Sequence, residues 1–240
     1  MDVFENYIKQ FDLKNAKIIR KYRHSLRVVH LCEILANELK LEKSNIELIK
    51  ICGLFHDIAR FKQTQIYDSF KDTKTFDHGD EGEKIFLNEI APLLDLSEDE
   101  IILIGKAIRY HNKFSIGSDV NENEKLFCKI LRDADKIDIL YQISSIPGLL
   151  HPNDGEISSE NDTDFMKKRS LNYKNVHTSA EENLLLLAFI WDINYDNSLK
   201  IIKDNKYYER IEKILNDNKY AKYFELIFQY LKSEVKNDVK

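Results

Sequence analysis

The stretch GLFHDIARF, residues 53–61, sets a histidine and an aspartate side by side in an apolar run. Leu54 and Phe55 precede the pair, and Ile58 and Phe61 follow it. Burying two such groups costs free energy unless each gains a partner. Upstream, SNIE at 44–47 reads as a capping box, with Ser44 and Glu47 opening a helix that runs toward His56 and Asp57. Downstream, residues 61–77 mix Lys, Asp and Thr without a sustained period and read as a loop.

The rest of the chain is consistent with helices. Of 240 residues, 43% are hydrophobic, enough for a sizeable core. Gly and Pro number only 7 and 3, which favours an all-α protein over a sheet protein. Residues 15–40 read as one or two helices, and about 77–90 as another that ends before Pro92. SEDE at 97–100 is a second capping box, opening a helix to Tyr110–His111, and 122–144 is a further long helix. SAEE at 179–182 caps an apolar helix to Trp191, and two or three amphipathic helices follow. The expected organisation is one helical domain over 1–240. It has a core of about 15–144, an irregular insertion of about 145–178 containing Pro147 and Pro152, and a C-terminal helical extension of 179–240.

Several function classes fall away. The net charge of −5 and the mixed lysines and carboxylates give no nucleic-acid footprint. No apolar run reaches the ~18 residues of a membrane span. The acidic N-terminus is unlike a signal peptide. Cys32, Cys52 and Cys128 lie far apart in apolar surroundings, as small core residues of a cytoplasmic protein would. Oligomeric state is not readable from the sequence.

Candidate ligands recur along the helices. His24 shares a face with Val28, Leu31 and Leu35, whereas His30 lies well around the helix. His111 ends the face formed by Ile104, Ala107 and Ile108. His78 opens a helix beside Gly79 and Gly82. In ILRDADKIDIL, 130–140, acidic residues interrupt both apolar faces, and periodicity leaves either Asp133 or Asp135 as the ligand. Each histidine alone fits a core residue or a helix end. Together, imidazole and carboxylate suit a borderline divalent metal.

The order of these residues resembles the HD-domain phosphohydrolase superfamily, an all-α helical bundle. His24 followed by Ser25 resembles its first ligand, His56–Asp57 its eponymous doublet, and Asp135 in DADKID its closing aspartate. His78 and His111 resemble the extra histidines of its dinuclear subset. The sequence after His111, HNKFSIG, departs from the HD-GYP pattern, so cyclic-di-GMP cleavage is not expected. The resemblance implies one or two divalent transition-metal ions (Fe, Mn, Zn, Ni or Co) held by His24, His56, Asp57, His78, His111 and Asp135. It implies a metal-activated water attacking a small phosphorylated substrate, a nucleotide being the expected class. Arg60 and Lys136, close in sequence to ligands, are the expected phosphate contacts beside Asp57. A catalytically weak metal- and nucleotide-binding regulatory module and a purely structural helical protein are the competing readings.

Overall fold

In a computed structural model the described residues, 1–146 and 148–235, contain helices and turns and no strand. Pro147 and the end of the expected 179–240 extension lie outside them. Contacts divide the chain into two compact units, Met1–Asp135 and Lys136–Lys240.

The first unit opens with α1, Asp2–Ile8, and α2, Ala16–Glu38. The Asn15 side chain caps α2 by accepting from the Lys17 amide at 2.9 Å. Along α2, Ile18, Ser25, Val28, Cys32, Leu35 and Ala36 bury one stripe, with His24 inside it and His30 exposed. Past the cap at Leu39, Lys40 stands at φ +57°. The amides of Lys40 and Leu41 bond back to Asn37 and Ala36, which closes the helix sharply. α3, Lys43–Phe55, packs along α2. At their crossing Gly53 allows close approach, because a Cβ there would stand only 3.1 Å from Cys32 Sγ and 3.2 Å from the Val29 backbone and would press the two helices apart by a few tenths of an ångström.

α3 is capped two residues earlier than the SNIE reading, at Glu42, and begins at Lys43, so Ser44 lies inside the helix and is not its cap. The expected loop at 61–77 is also corrected. α4 runs Ile58–Tyr67, and a 3-10 turn spans Asp72–Lys74. Its inward face carries Gln63 and Thr64 beside Phe61, so polar residues occupy positions where the period calls for apolar ones. Both are satisfied by hydrogen bonds, Gln63 to Asp72, Thr75 and Phe76 and Thr64 to the Arg60 carbonyl.

α5, His78–Ile85, starts on an Asp77 cap that accepts from the Gly79 and Asp80 amides, and widens into a π-type turn at Phe86–Ile90 before Pro92. α6, Glu98–Tyr110, has the expected Ser97–Glu100 capping box. α5 packs on α4 and α6, and α6 on α3. α7 is Glu122–Ser145 and contributes its residues through Asp135 to this unit.

In the second unit, α8, Ser159–Met166, and a 3-10 turn at Tyr173–Asn175 give structure to part of the stretch expected to be irregular. α9, Ser179–Leu187, is capped one residue upstream of the SAEE reading, by Thr178 with Glu181. α10, Asp196–Asp204, α11, Tyr207–Leu215, and α12, Ala221–Glu234, pack on one another, and α12 also on α8. Among the described residues no helix is long and apolar enough to cross a membrane.

Candidate metal centre

The His56–Asp57 doublet sits where the helix breaks. His56 caps α3, Asp57 has φ −103° and ψ 19°, and α4 begins at Ile58. Within one helix, neighbouring side chains diverge by ~100°. The break in the bridge region of backbone space lets both point into one cavity. Around them come His24 from mid-α2, His78 from the first residue of α5, His111 from the end of α6, and Asp135 from α7.

All four imidazoles present Nε2. His24 Nε2 lies 3.1 Å from His56 Nε2, and His78 Nε2 lies 3.0 Å from His111 Nε2. Asp135 Oδ1 stands 3.1 Å from His24 Nε2 and 3.6 Å from His56 Nε2. Asp57 serves both pairs. Its Oδ2 is 3.3 and 3.4 Å from His24 and His56, and its Oδ1 is 3.6 and 3.7 Å from His78 and His111. Every one of these side chains is buried except Asp135, which is 13% exposed. Two sets of mutually close donors result, His24–His56–Asp135 and His56–Asp57–His111, each within 4.8 Å. Asp133 is buried but belongs to neither, so the geometry selects Asp135 of the two candidates.

The opposite ring edges set the tautomers. His56 Nδ1 donates to the Gly53 carbonyl at 2.8 Å, and His111 Nδ1 to the Ile108 carbonyl at 2.6 Å. His78 Nδ1 donates to Asp72 Oδ2 at 2.5 Å. A nitrogen that donates to such an oxygen carries the ring proton, so Nε2 of each neutral ring offers a lone pair to the cavity. Two such lone pairs at 3.0 Å repel unless a proton or cation lies between them.

The charges agree. Burial pushes the Asp57 carboxyl up, but Lys21 and the surrounding histidines outweigh this and hold it well below the ordinary range. Burial likewise opposes ionisation of Asp135, and the His24 and His56 rings beside it overcome this and hold its carboxyl well below the ordinary range. Burial and the Arg60 charge hold His78 down to about 4, and burial also lowers His111, so both rings favour the neutral form at pH 7. Burial lowers His56 too, but Asp57 and Asp135 prevail and leave it raised. Two buried carboxylates thus draw positive charge toward a point lined with imidazole nitrogen. That donor set fits a divalent ion of the borderline class.

The cations divide between the centre and other partners. Arg60 Nε is 3.7 Å from Asp57 Oδ1, but its Nη1 is engaged by Gln63, the Phe70 carbonyl and Asp72. Lys136 Nζ pairs with Asp192 at 2.8 Å within the second unit. Lys62, Arg109 and Lys113 pair with Glu81, Asp80 and Asp77, and Arg132 donates to the Tyr110 and Lys113 carbonyls. Besides Arg60, Lys21 touches the centre, and its ammonium bonds Asp57 Oδ2. Its position one turn before His24 was a signal the sequence contained. Asp72 and Asn112, which bracket His78 Nδ1, carried no such signal, because Asp72 lies in the stretch read as a loop.

The HD-domain family model matches residues 22–140. No curated protein and no solved structure matches the chain.

Proposed function

The chain belongs to the HD-domain superfamily through residues 22–140, and from that premise we propose that it is a metal-dependent phosphohydrolase acting on a small phosphorylated substrate, a nucleotide or a related molecule. The observation that carries this reading is the two-sided Asp57 carboxylate, with one oxygen toward His24 and His56 and the other toward His78 and His111. His24, His56, Asp57 and Asp135 would hold one ion, and Asp57, His78 and His111 a second. When bound, such ions lower the pKa of water toward ~7 in the best cases and offset charge on phosphoryl oxygens.

The chain's own residues do the positioning. Asp72 and the Gly53 and Ile108 carbonyls fix the ring orientations of His78, His56 and His111. Asp57 is held by the Lys21 ammonium, which leaves a cation beside the place a phosphoryl group would occupy. Arg60 ties the Phe70 backbone and Asp72 to α4 and so supports the His78 orientation indirectly.

The test is a metal-supplemented panel of phosphate monoesters, diesters and nucleotides with elemental analysis of the desalted protein. Wild type should retain transition metal and release phosphate or cleave a diester. Asp57→Ala should lose turnover by at least ~100-fold, the scale of removing one electrostatic stabiliser at a reacting centre. Wild-type turnover by that variant would overturn the proposal.

A further inference from the structure

Beside the centre, three cations converge on one aromatic ring. Arg20 Cζ stands 5.2 Å from the Phe70 centroid, Lys21 Nζ 5.5 Å and Arg60 Cζ 5.7 Å. The ring is anchored from two sides. Arg60 Nη1 holds the Phe70 carbonyl at 2.6 Å, and Lys17 Nζ bonds both the carbonyl and the carboxylate of Asp68 at 2.7 Å. Asp68 itself turns the chain out of α4 at φ +46°. Phe70 is therefore a fixed seat rather than a loose loop residue.

Of the three cations, two are accounted for. Lys21 bonds Asp57, and Arg60 is spent on Gln63, Phe70 and Asp72. Arg20 is different. Among the described residues it makes no ion pair and no hydrogen bond, and its contact is the face of Phe70. It is half-buried, and burial alone lowers its pKa, with no carboxylate to compensate. A guanidinium has five N–H donors, and partly desolvating them without an acceptor costs free energy. Such an arginine is suited to an acceptor brought by a ligand, and its planar fork matches a phosphate.

Its place on α2 says which part of a ligand. Arg20 and His24 are four residues apart, on one side of the helix and ~6 Å along its axis. Lys21 lies between them in sequence, and its ammonium reaches the centre at Asp57. The contacts form a chain from the centre: Asp57 to Lys21, Lys21 to the Phe70 ring, and the Phe70 ring to Arg20. We propose that Arg20, seated on Phe70, binds a second, uncleaved phosphoryl group, so that the preferred substrates carry two or more phosphoryl groups. This deepens the phosphohydrolase reading and rests on it. Arg20 is a specificity residue here: it meets the substrate away from the bond that breaks.

The experiment uses the full chain loaded with metal and freed of excess. Binding of methylenediphosphonate and of methylphosphonate is measured by calorimetry, with metal content and thermal melting recorded for each variant. Neither probe is hydrolysed. Wild type should prefer the diphosphonate, and Arg20→Ala should weaken it by about tenfold while changing methylphosphonate by less than about twofold, as expected for loss of one charge-assisted contact. Arg20→Lys should recover part of the loss, because charge returns without the fork. Phe70→Leu keeps the guanidinium and removes its seat. It should weaken the diphosphonate alone by a smaller factor, ~3-fold, on the scale of an exposed cation–π contact. It also keeps the question answerable if Arg20→Ala does not fold.

Equal losses for both probes, no loss for either, or no diphosphonate preference in wild type would each overturn the assignment. The two readings fail separately. A wild type that prefers the diphosphonate through Arg20 yet hydrolyses nothing in the panel loses the hydrolase reading and keeps the subsite. A wild type that hydrolyses a monophosphate and shows no such preference keeps the first and loses the second.

Discussion

Each unit buries a carboxylate, and the two carboxylates are surrounded in opposite ways. In the second unit Glu181 is 1% exposed and meets donors alone: the amides of Ser158, His177 and Thr178 at 3.0, 2.8 and 3.3 Å and the Asn161 amide group at 2.8 Å. Every lone pair has a proton to accept, and the charge locks α8 and the start of α9 together. In the first unit Asp57 faces one ammonium, the edge of the Arg60 guanidinium at 3.7 Å and four imidazole nitrogens, three of which belong to rings that donate from their far side. A buried carboxylate met by donors is structure. One met by lone pairs has a deficit of positive charge, and a deficit of that kind marks a site.

The sharpest way to break this contrast is through the residue that sets the His78 tautomer. Asp72→Asn removes the acceptor charge behind the ring, and metal affinity at the His78–His111 side should fall by about 10- to 100-fold, the range for partners behind a ligand histidine. Unfolding of the metal-free protein should move little by comparison. Metal titration of the variant beside wild type reads both; unchanged affinity would remove Asp72 from the centre.

Glu181→Ala should do the reverse. Four donors lose their acceptor, and stability should fall by at least ~2 kcal/mol in chemical denaturation while metal content stays as in wild type. If metal were lost with an intact fold, the distinction between the two carboxylates would collapse.

Acid should pick out the same group. Burial pushes the Glu181 carboxyl up, but the donors from Ser158, His177 and Asn161 reverse this and bring it down to about 2, from an ordinary 4.5. A depressed carboxyl contributes stability that is complete above the unfolded value and is lost as pH falls through the folded one. The wild-type contribution should therefore fade between about pH 4.5 and 2. Glu181→Ala, having no such group, should show a shallower loss across that window in pH-dependent denaturation.

The smallest effect belongs to the cap. Thr178 Oγ1 accepts from the Glu181 amide at 3.1 Å, and Thr178→Ala should cost about 1 kcal/mol. A cost as large as that of Glu181→Ala would mean that the carboxylate acts only through the capping box.

Much of this was legible along the chain. The Ser97–Glu100 box placed α6, and the apolar stripe of α2 put His24 inward and His30 outward. Legibility failed where polar residues replaced apolar ones on an inward face. Gln63 and Thr64 masked α4, and with it the turn that holds Asp72. The cap readings at Ser44 and Ser179 each missed by a residue or more, because Lys43 already opens α3 and Thr178 precedes Ser179 with a better-placed Glu181. Among the cations, closeness in sequence had mixed value: Arg60 Nε does reach Asp57 at 3.7 Å while its Nη1 is engaged by Asp72, and the Lys136 head is engaged by Asp192.

What the amino-acid order determined alone was the all-helical class and a short set of candidate histidines and aspartates, because both are written in local periods and in residue chemistry. What only tertiary structure decided was pairing: which Nε2 faces which, that Asp57 looks both ways, that Asp135 rather than Asp133 joins the cluster, and that Arg20 is left with a ring and no acceptor. Those facts depend on distances of 3.0 to 5.2 Å between residues as many as 111 positions apart (His24 to Asp135). A helical period reports the direction of a side chain from its own axis and nothing about the axis it will meet.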